Sequence, residues 1–505
     1  MARGKKKESA LTPEEKLAQA LVPVEEQPYQ VPENWCWARI GAISDFERGI
    51  TFPASAKENE PTEENIPCLR TANVQENLEI DDLIYVNQSF MKGNEAKLVR
   101  ENDIIMSSAN SRELVGKASF VTHVPFPMTF GGFVLIIRAR GISSKYLFYF
   151  LRQEFLAGKF MGESTQTTNI ANINTTTLGS YELPLPPLAE QQRIVDRIEY
   201  LFAKLDEAKE KAQSVLDSFE TRKTAILRNA FRGEYTLGSS VENINSILSC
   251  MLSIKENMIR SKQIQRAKVK AWSEEDTIRV FPSEWKQVRV GEIAFVTKLA
   301  GFEYTKYIHL EGTGEVPVVR AQNVRMGYLS TENLLYIGNE TSETLSRSAL
   351  TKECILVTFI GAGIGDVCIF DQKCRFHLAP NVAKVEFFCG GNEELNTKYA
   401  LYYLLSPYGQ HEIFKNMKAT AQPSLSMETI RDIIIPIPDK EEQAEIVRIL
   451  DSLFAKEQQA KEAAEAVLEK IDLLKKSILA RAFRGELGTN APTEESAVEL
   501  LKAIL

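Results

Sequence analysis

The six residues IGAGIG, Ile360 to Gly365, are the stretch closest to a phosphate cradle, in which clustered glycines let backbone N–H groups approach a pyrophosphate. Their spacing is GxGxG rather than GxGxxG, and the following DVCIFDQK reads as a strand where a cradle needs a helix N-terminus. A tight turn is the expected role. Gly116-Lys117 and Gly158-Lys159 lack the upstream glycine of a GxxxxGK[ST] loop, which argues against an ATPase. The Asn- or Asp-Pro-Pro-aromatic tetrapeptide of an amino-methyltransferase is missing too. Seven cysteines without a CxxC pair argue against a disulfide framework and a zinc site, and four histidines form no HExxH or HxxxH pair. No Asp/Glu cluster has a nuclease spacing. The chain is predicted to be non-catalytic, with no metal and no cofactor of its own.

At 505 residues the chain exceeds one hydrophobic core, so two or more domains are expected. Hydrophobic content of 44% and charged content of 25% are those of a globular protein. MARGKKKESA carries no apolar segment after its basic residues and no run is long enough to span a membrane, which predicts a cytoplasmic protein. A net charge of -8 disfavours nucleic-acid binding for the chain taken whole, but does not bear on a local basic face.

The positioning elements are written twice. ILRNAFRGE, ending at Glu234, returns as ILARAFRGE, ending at Glu486, with seven of nine letters shared. Followed backwards, VPENW (from Val31) matches FPSEW (from Phe281), IPCLRTANV (from Ile66) matches VPVVRAQNV (from Val316), and LPLPPLAEQQRIV (from Leu183) matches IPIPDKEEQAEIV (from Ile435). The offset drifts only from 250 to 252, so the chain is an internal duplication.

Each copy is a globular unit followed by a long helix. Ile194, Ile198, Leu201, Leu205, Ala208, Ala212, Val215 and Phe219 follow the heptad spacing of a coiled-coil seam. Ile446, Leu450, Leu453, Ala460, Ala464, Val467, Ile471, Leu474 and Ile478 repeat it, with one break where Glu457 replaces the equivalent of Leu205. Asp439 with Glu442 makes a capping pair, and Arg232-Gly233 and Arg484-Gly485 are stop signals. AFRGE is thus read as a helix terminator. Each helix would run about 65 to 70 Å at about 1.5 Å per residue. Antiparallel pairing of the two seams would put one globular unit at each end, giving a dumbbell. The expected fold is mixed α/β globular units in tandem, separated by two long helices in an antiparallel coiled coil. The expected boundaries are an N-terminal extension with a capped short helix (1–27), the first globular unit (28–185), the first long helix (186–234), a linker with a short helix near Ile247 to Leu252 (235–275), the second unit (276–437), the second long helix (438–487) and a tail helix (488–505). DIIMSS, GGFVLIIRA, CILVTF and VAKVEFF read as strands, and the runs from Lys145 to Phe160 and from Lys398 to Phe414 as helices.

Two variable units, each closed by a PLPPLAEQQRI-type phrase, a long helix and an AFRGEL-type terminator, resemble the specificity subunit of type I restriction-modification systems. The likeness runs from about Trp35 to Leu487 and includes the SAVELLKAI tail. It implies two target-recognition domains reading an asymmetric bipartite site in double-stranded DNA, with the helices as spacers. It implies two adenine-N6 methyltransferase subunits and translocase-nuclease subunits as partners, with S-adenosylmethionine, ATP and magnesium only on those partners, and no membrane. Rival readings are the specificity subunit of a related non-type-I modification system and a protein-only coiled-coil scaffold.

Under that resemblance, residues shared by the copies are candidate framework: Arg70 and Arg320, Asn73 and Asn323, Gly116 and Gly365. For Arg70 and Arg320 a phosphate contact and a hydrogen bond within the fold both stand as readings. Asn73 and Asn323, with Gln322 beside the latter, are counted with the two arginines as candidate DNA contacts. Loops that differ are candidates for base readout, since their side chains carry donors and acceptors. They supply Ser107, Ser108, Asn110, Arg112 and Lys117 in the first copy and Thr358 in the second. Gln166, Asn169 and Asn172, with Gln422 and Ser424, lie in polar segments before the long helices.

Overall fold

The computed structural model describes residues 11–505 except 164, 168, 169, 237, 239, 390–394, 416 and 418–423, with backbone alone at 162, 163, 165–167 and 170. The chain divides into unit 1, Met1–Gln213 with Glu465–Leu505, and unit 2, Ser214–Ala464. The longer helices include α1 (Pro13–Ala20), α2 (Ser144–Leu156), α3 (Leu188–Asp217), α4 (Phe219–Ala230), α5 (Val241–Arg260), α6 (Thr397–Leu405), α7 (Lys440–Phe483) and α8 (Ala497–Ile504).

The two units share a strand order, as the duplication requires. In unit 1 an antiparallel sheet runs Ser44–Arg48, Val134–Ala139, Ile104–Ser107, Ala118–Phe120. In unit 2 the order is Ala294–Lys298, Val382–Phe387, Cys354–Thr358, Val367–Phe370. The central strands IIMS and CILVT are buried at every position, because both faces are covered, which is why they read as continuous apolar runs. A second sheet orders Ile84–Asn87, Asn65–Leu69 and Thr129–Phe130, matched in unit 2 by Leu335–Ile337, Val316–Val319 and Phe376–Leu378, with Ala349–Leu350 added at its edge. A ribbon of Cys36–Arg39 with Glu182–Leu185, and of Lys286–Arg289 with Ile434–Ile437, ties the start of each recognition module to the residues just before its long helix.

All four expected strands are present. The two expected helices each split: α2 is followed by a short helix Lys159–Glu163, and α6 by Pro407–Phe414. The second break has a local cause, since Pro407 cannot donate to the preceding turn and Ser406 caps the new helix by accepting from Gly409 N at 3.1 Å. The TPEE capping box at Thr12 opens α1.

In unit 1, Ile194, Ile198 and Phe202 of α3 share a core with Leu479, Ala482 and Phe483 at the end of α7, and with Tyr146 and Phe150 of α2. In unit 2, Leu227, Ala230 and Phe231 at the end of α4 share a core with Ile446 and Leu450 at the start of α7, and with Tyr399 and Tyr403 of α6. In each unit the two spacer segments run antiparallel. Every seam residue from Ile194 to Phe219 is buried or half-buried, whereas Ala460, Val467 and Leu474 of the second seam are exposed. The heptad break is filled by charge: Glu457 accepts from Arg222 Nε at 2.7 Å, both side chains being largely covered.

The first long helix is not continuous. It breaks at Ser218, between α3 and α4. Ser218 Oγ donates to Ser214 O at 2.6 Å, a back-bond that bends helices, and also takes a hydrogen bond from Arg222. The position 252 residues on, Lys470, has no such hydroxyl, and α7 runs unbroken for 44 residues. The segment 235–275 also differs from the expected linker. Its helix α5 has 20 residues, and Ile244, Leu248 and Met251 form a stripe buried in the core of unit 2.

AFRGE ends helices as expected, with Gly233 and Gly485 left-handed at φ 72 and 73. It is also an aromatic plug. Phe483 lies 5.2 Å from Tyr146 and 5.3 Å from Phe150, ring centre to ring centre, and Phe231 lies 5.5 Å from Tyr399 and 5.3 Å from Tyr403. A Cβ on Gly485 would strike Pro32 and one on Gly233 would strike Pro282. The phrase closing each copy therefore docks on the VPENW-type phrase that opens the other.

Candidate functional site

The loops singled out from the sequence are hairpins of one design. Ser107 N donates to Lys117 O and Gly116 N to Ser107 O, both at 2.9 Å. Thr358 N donates to Asp366 O and Gly365 N to Thr358 O, again both at 2.9 Å. Gly116 and Gly365 are left-handed at φ 85 and 87, and a Cβ on either would overlap the ring of Phe160 or Phe414. IGAGIG is thus a hairpin turn leading into the strand Val367–Phe370, and the helix N-terminus that a dinucleotide cradle requires does not follow it.

Within the first hairpin Ser107 is fully buried, and its hydroxyl accepts from Asn110 Nδ2 at 3.0 Å. Asn110 Oδ1 in turn accepts from Ser111 N at 2.8 Å. Arg112 is exposed and Ser108 half-exposed, while Lys117 reaches the amide oxygen of Gln75. Thr358 is fully buried, and its hydroxyl meets no hydrogen-bond partner among the described residues.

Strand pairing brings distant candidates together. Ala109–Asn110 pairs with Ile170–Asn172, which pairs with Thr165–Thr167, so Asn172 lies opposite Ala109 and Gln166 falls on the outer strand of a three-stranded sheet. Ile173 N donates to Ser108 O at 2.9 Å. In unit 2 Ser424 bridges Ile360, and Leu425 N donates to Phe359 O at 2.9 Å. Asn169 and Gln422 lie outside the described residues.

The shared framework residues serve a turn. Asn73, buried, accepts from Arg70 N and donates to Asp82 O, both at 2.8 Å, while Arg70 Nη2 pairs with Asp82 Oδ2 at 2.8 Å. Asn323, also buried, accepts from Arg320 N at 3.1 Å and donates to Ser330 O and Glu332 O, while Arg320 Nη2 donates to Asn333 O at 2.6 Å. Both asparagine amides are spent inside the fold, and of the two readings left open for the arginines the internal hydrogen bond is made in both units. Gln322 stands exposed on the same turn.

Other reactive groups are muted. Cys36, Cys68 and Cys368 are buried, and desolvation pushes their thiols up to about 12. Among the described residues no group of three His, Cys, Asp or Glu is placed to hold a metal, and no helix is long and apolar enough to cross a membrane.

With this geometry in hand, comparison with known proteins is specific. The family model described as "Type I restriction modification DNA specificity domain" matches residues 32–216 and again 282–470, once per copy. The type I restriction enzyme EcoKI specificity subunit of Escherichia coli K12 is 24% identical over 466 residues, covering 91% of this chain and 90% of the relative. The StySPI specificity subunit of Salmonella potsdam is 24% identical over 473 residues, with the same coverage of 91% and 90%. The crystal structure of the HsdS subunit from Thermoanaerobacter tengcongensis superposes with a TM-score of 0.57 at 17% identity, covering 92% of this chain and all of that one, a likeness of fold.

Proposed function

This chain belongs to the type I restriction-modification DNA specificity family and is a DNA-recognition subunit that works with other restriction-modification subunits; from that premise we propose that it reads an asymmetric bipartite site, one word per recognition domain. The observation that carries the proposal is the pair of hairpins at Ser107 and Thr358, alike in backbone bonding and different in side chains. A common frame with divergent loops suits two readers of different words. Asn110, Arg112, Asn172, Gln322 and Ser424 are the polar side chains of this reading, with Gln166 on the strand beside Asn172, and Arg70 and Arg320 add cations to it. The spacer segments α3, α4 and α7 set the gap and seat two adenine-N6 methyltransferase subunits. Translocase-nuclease subunits join for cleavage, and S-adenosylmethionine, ATP and magnesium are held by those partners. The chain itself is non-catalytic and works in the cytoplasm.

The net charge of -8 suits a clamp completed by its partners rather than a reader that binds alone. The test is DNA binding by the purified complex with its methyltransferase across a salt series. Binding that weakens steeply with salt, as release of counterions from phosphates requires, supports the reading. A salt-independent complex, or one that ignores DNA, would leave the protein-only scaffold in its place.

A further inference from the structure

We propose that residues 133 and 381 are equivalent, base-facing specificity positions, presenting an aromatic ring in the first recognition domain and an amide in the second. The inference rests on the DNA-reading function above and names residues that the sequence alone did not single out.

The equivalence is set by backbone bonds. Phe133 O accepts from Ser108 N at 3.0 Å and from Ala109 N at 3.3 Å; Asn381 O accepts from Phe359 N at 3.1 Å. Ser108 O and Phe359 O then each accept at 2.9 Å from the segment that precedes the long helix, through Ile173 N and Leu425 N. At this shared address the chemistry is exchanged. In unit 2 the aromatic is Phe359, 1% exposed, and the outward residue is Asn381; in unit 1 the half-exposed Ser108 stands at the Phe359 position and the outward residue is Phe133, 62% exposed.

Phe133 is not exposed through slack in its loop. Gly131 N donates to Leu69 O at 2.9 Å, Val134 N to Gly131 O at 2.8 Å and Ile50 N to Phe130 O at 2.8 Å, and Gly49 has no room for a Cβ against the Gly131 carbonyl. Phe130 and Phe160, close by in the same unit, are fully covered. A ring held outward on so tied a backbone is placed for a surface still to come. The cleft it borders is lined by Phe52 and Thr71 and by the cations Lys57 and Arg70, a composition that suits a polyanion with apolar faces. In unit 2 the ammonium of Lys298 lies 4.6 Å from the centre of the Phe359 ring, beneath the same address.

A phenyl ring reads a thymine methyl or wedges against a base step, whereas asparagine makes paired hydrogen bonds to adenine N6 and N7. The same backbone address therefore favours different bases in the two words. The experiment uses the full chain with its methyltransferase, comparing Phe133→Asn and Asn381→Phe with the parent by sequencing the methylated sites. Each variant is expected to shift base preference at least tenfold at a position in one word, Phe133→Asn and Asn381→Phe acting on opposite words. Unchanged words at parental rates in both variants would overturn the inference. Should Phe133→Asn fail to assemble, Phe133→Leu is read on the same terms: an altered word supports the assignment and an intact one overturns it. A parent that methylates no defined motif would instead count against the DNA-reading function itself, which keeps the two failures apart.

Discussion

The indole N–H of Trp35 donates to the fully buried carboxylate of Glu190 at 2.8 Å, and the duplication makes the bond again between Trp285 and Glu442 at 3.0 Å. Each bond ties the first repeated phrase of a recognition module to the first turn of the helix that follows it. Asn490 Nδ2, from the segment after α7, adds a hydrogen bond to Glu190 at 2.9 Å. Replacing Trp35 by Phe keeps the ring and removes the donor, which should cost about 1 to 3 kcal/mol. Urea unfolding of the Trp35→Phe and Trp285→Phe variants measures it, and comparable losses are expected in both.

Burial raises the carboxyl pKa of Glu190 above the ordinary glutamate value, against the lowering by its bonds to Trp35 and Asn490 and by Arg193. The folded state thus holds this proton more tightly than the unfolded chain. The contribution of the group to stability is full below the ordinary glutamate pKa and is lost as pH rises through the raised folded value. In Glu190→Gln the amide oxygen still accepts from Trp35 without a charge to desolvate. Melting temperatures from about pH 4 to 7 should show the variant gaining on the parent as pH rises. Parallel curves would contradict this.

At the heptad break, Arg222→Ala leaves Glu457 part-buried and unpaired and should cost about 1 kcal/mol, given that the pair is partly solvated. Changing both residues to Leu restores the apolar seam and should match or exceed the parent in stability. A double-mutant cycle of Arg222→Ala and Glu457→Ala in denaturant gives the pair term, and comparison with the Leu/Leu variant then gives the gain from burial.

Gly116→Ala and Gly365→Ala force a Cβ into left-handed backbone and onto a phenylalanine ring, and each should destabilise its own hairpin by more than about 1 kcal/mol. Hydrogen exchange should quicken in the hairpin that carries the change and stay as in the parent in the other. Equal behaviour of parent and variants would mean that the turns tolerate a side chain.

The duplication, the strands and the spacer seam were legible because each leaves a local or periodic trace: repeated phrases, β-branched runs, a heptad. What was missed is non-local or set by a single atom. Ala109–Asn110 pairs with Ile170–Asn172 some sixty residues away, and nothing in either segment announces the other. The break at Ser218 depends on one hydroxyl turned back on Ser214, and the filling of the heptad gap on an arginine from the opposing helix. Helix α5 was legible in part: Ile244, Leu248 and Met251 have helical spacing, but the polar residues between them make the segment read as a linker. The candidate asparagines 73 and 323 looked alike in sequence to polar residues on the surface; only the fold shows their amides spent on a turn.

If the spacers act as a ruler, four residues inserted into α3 add about 6 Å, close to two base pairs at about 3.4 Å each, while also shifting the seam. The gap between the two words should lengthen accordingly, and an unchanged gap would end the ruler model. Exchanging residues 28–185 for another recognition domain should alter one word and spare the other.

The most direct test of the central claim is single-molecule mapping of N6-methyladenine in genomic DNA from cells with and without this gene, with the partner methyltransferase expressed in both. The account predicts an asymmetric two-part motif, methylated when the gene is present and unmodified when it is deleted. A methylation pattern that is the same in both strains would contradict it.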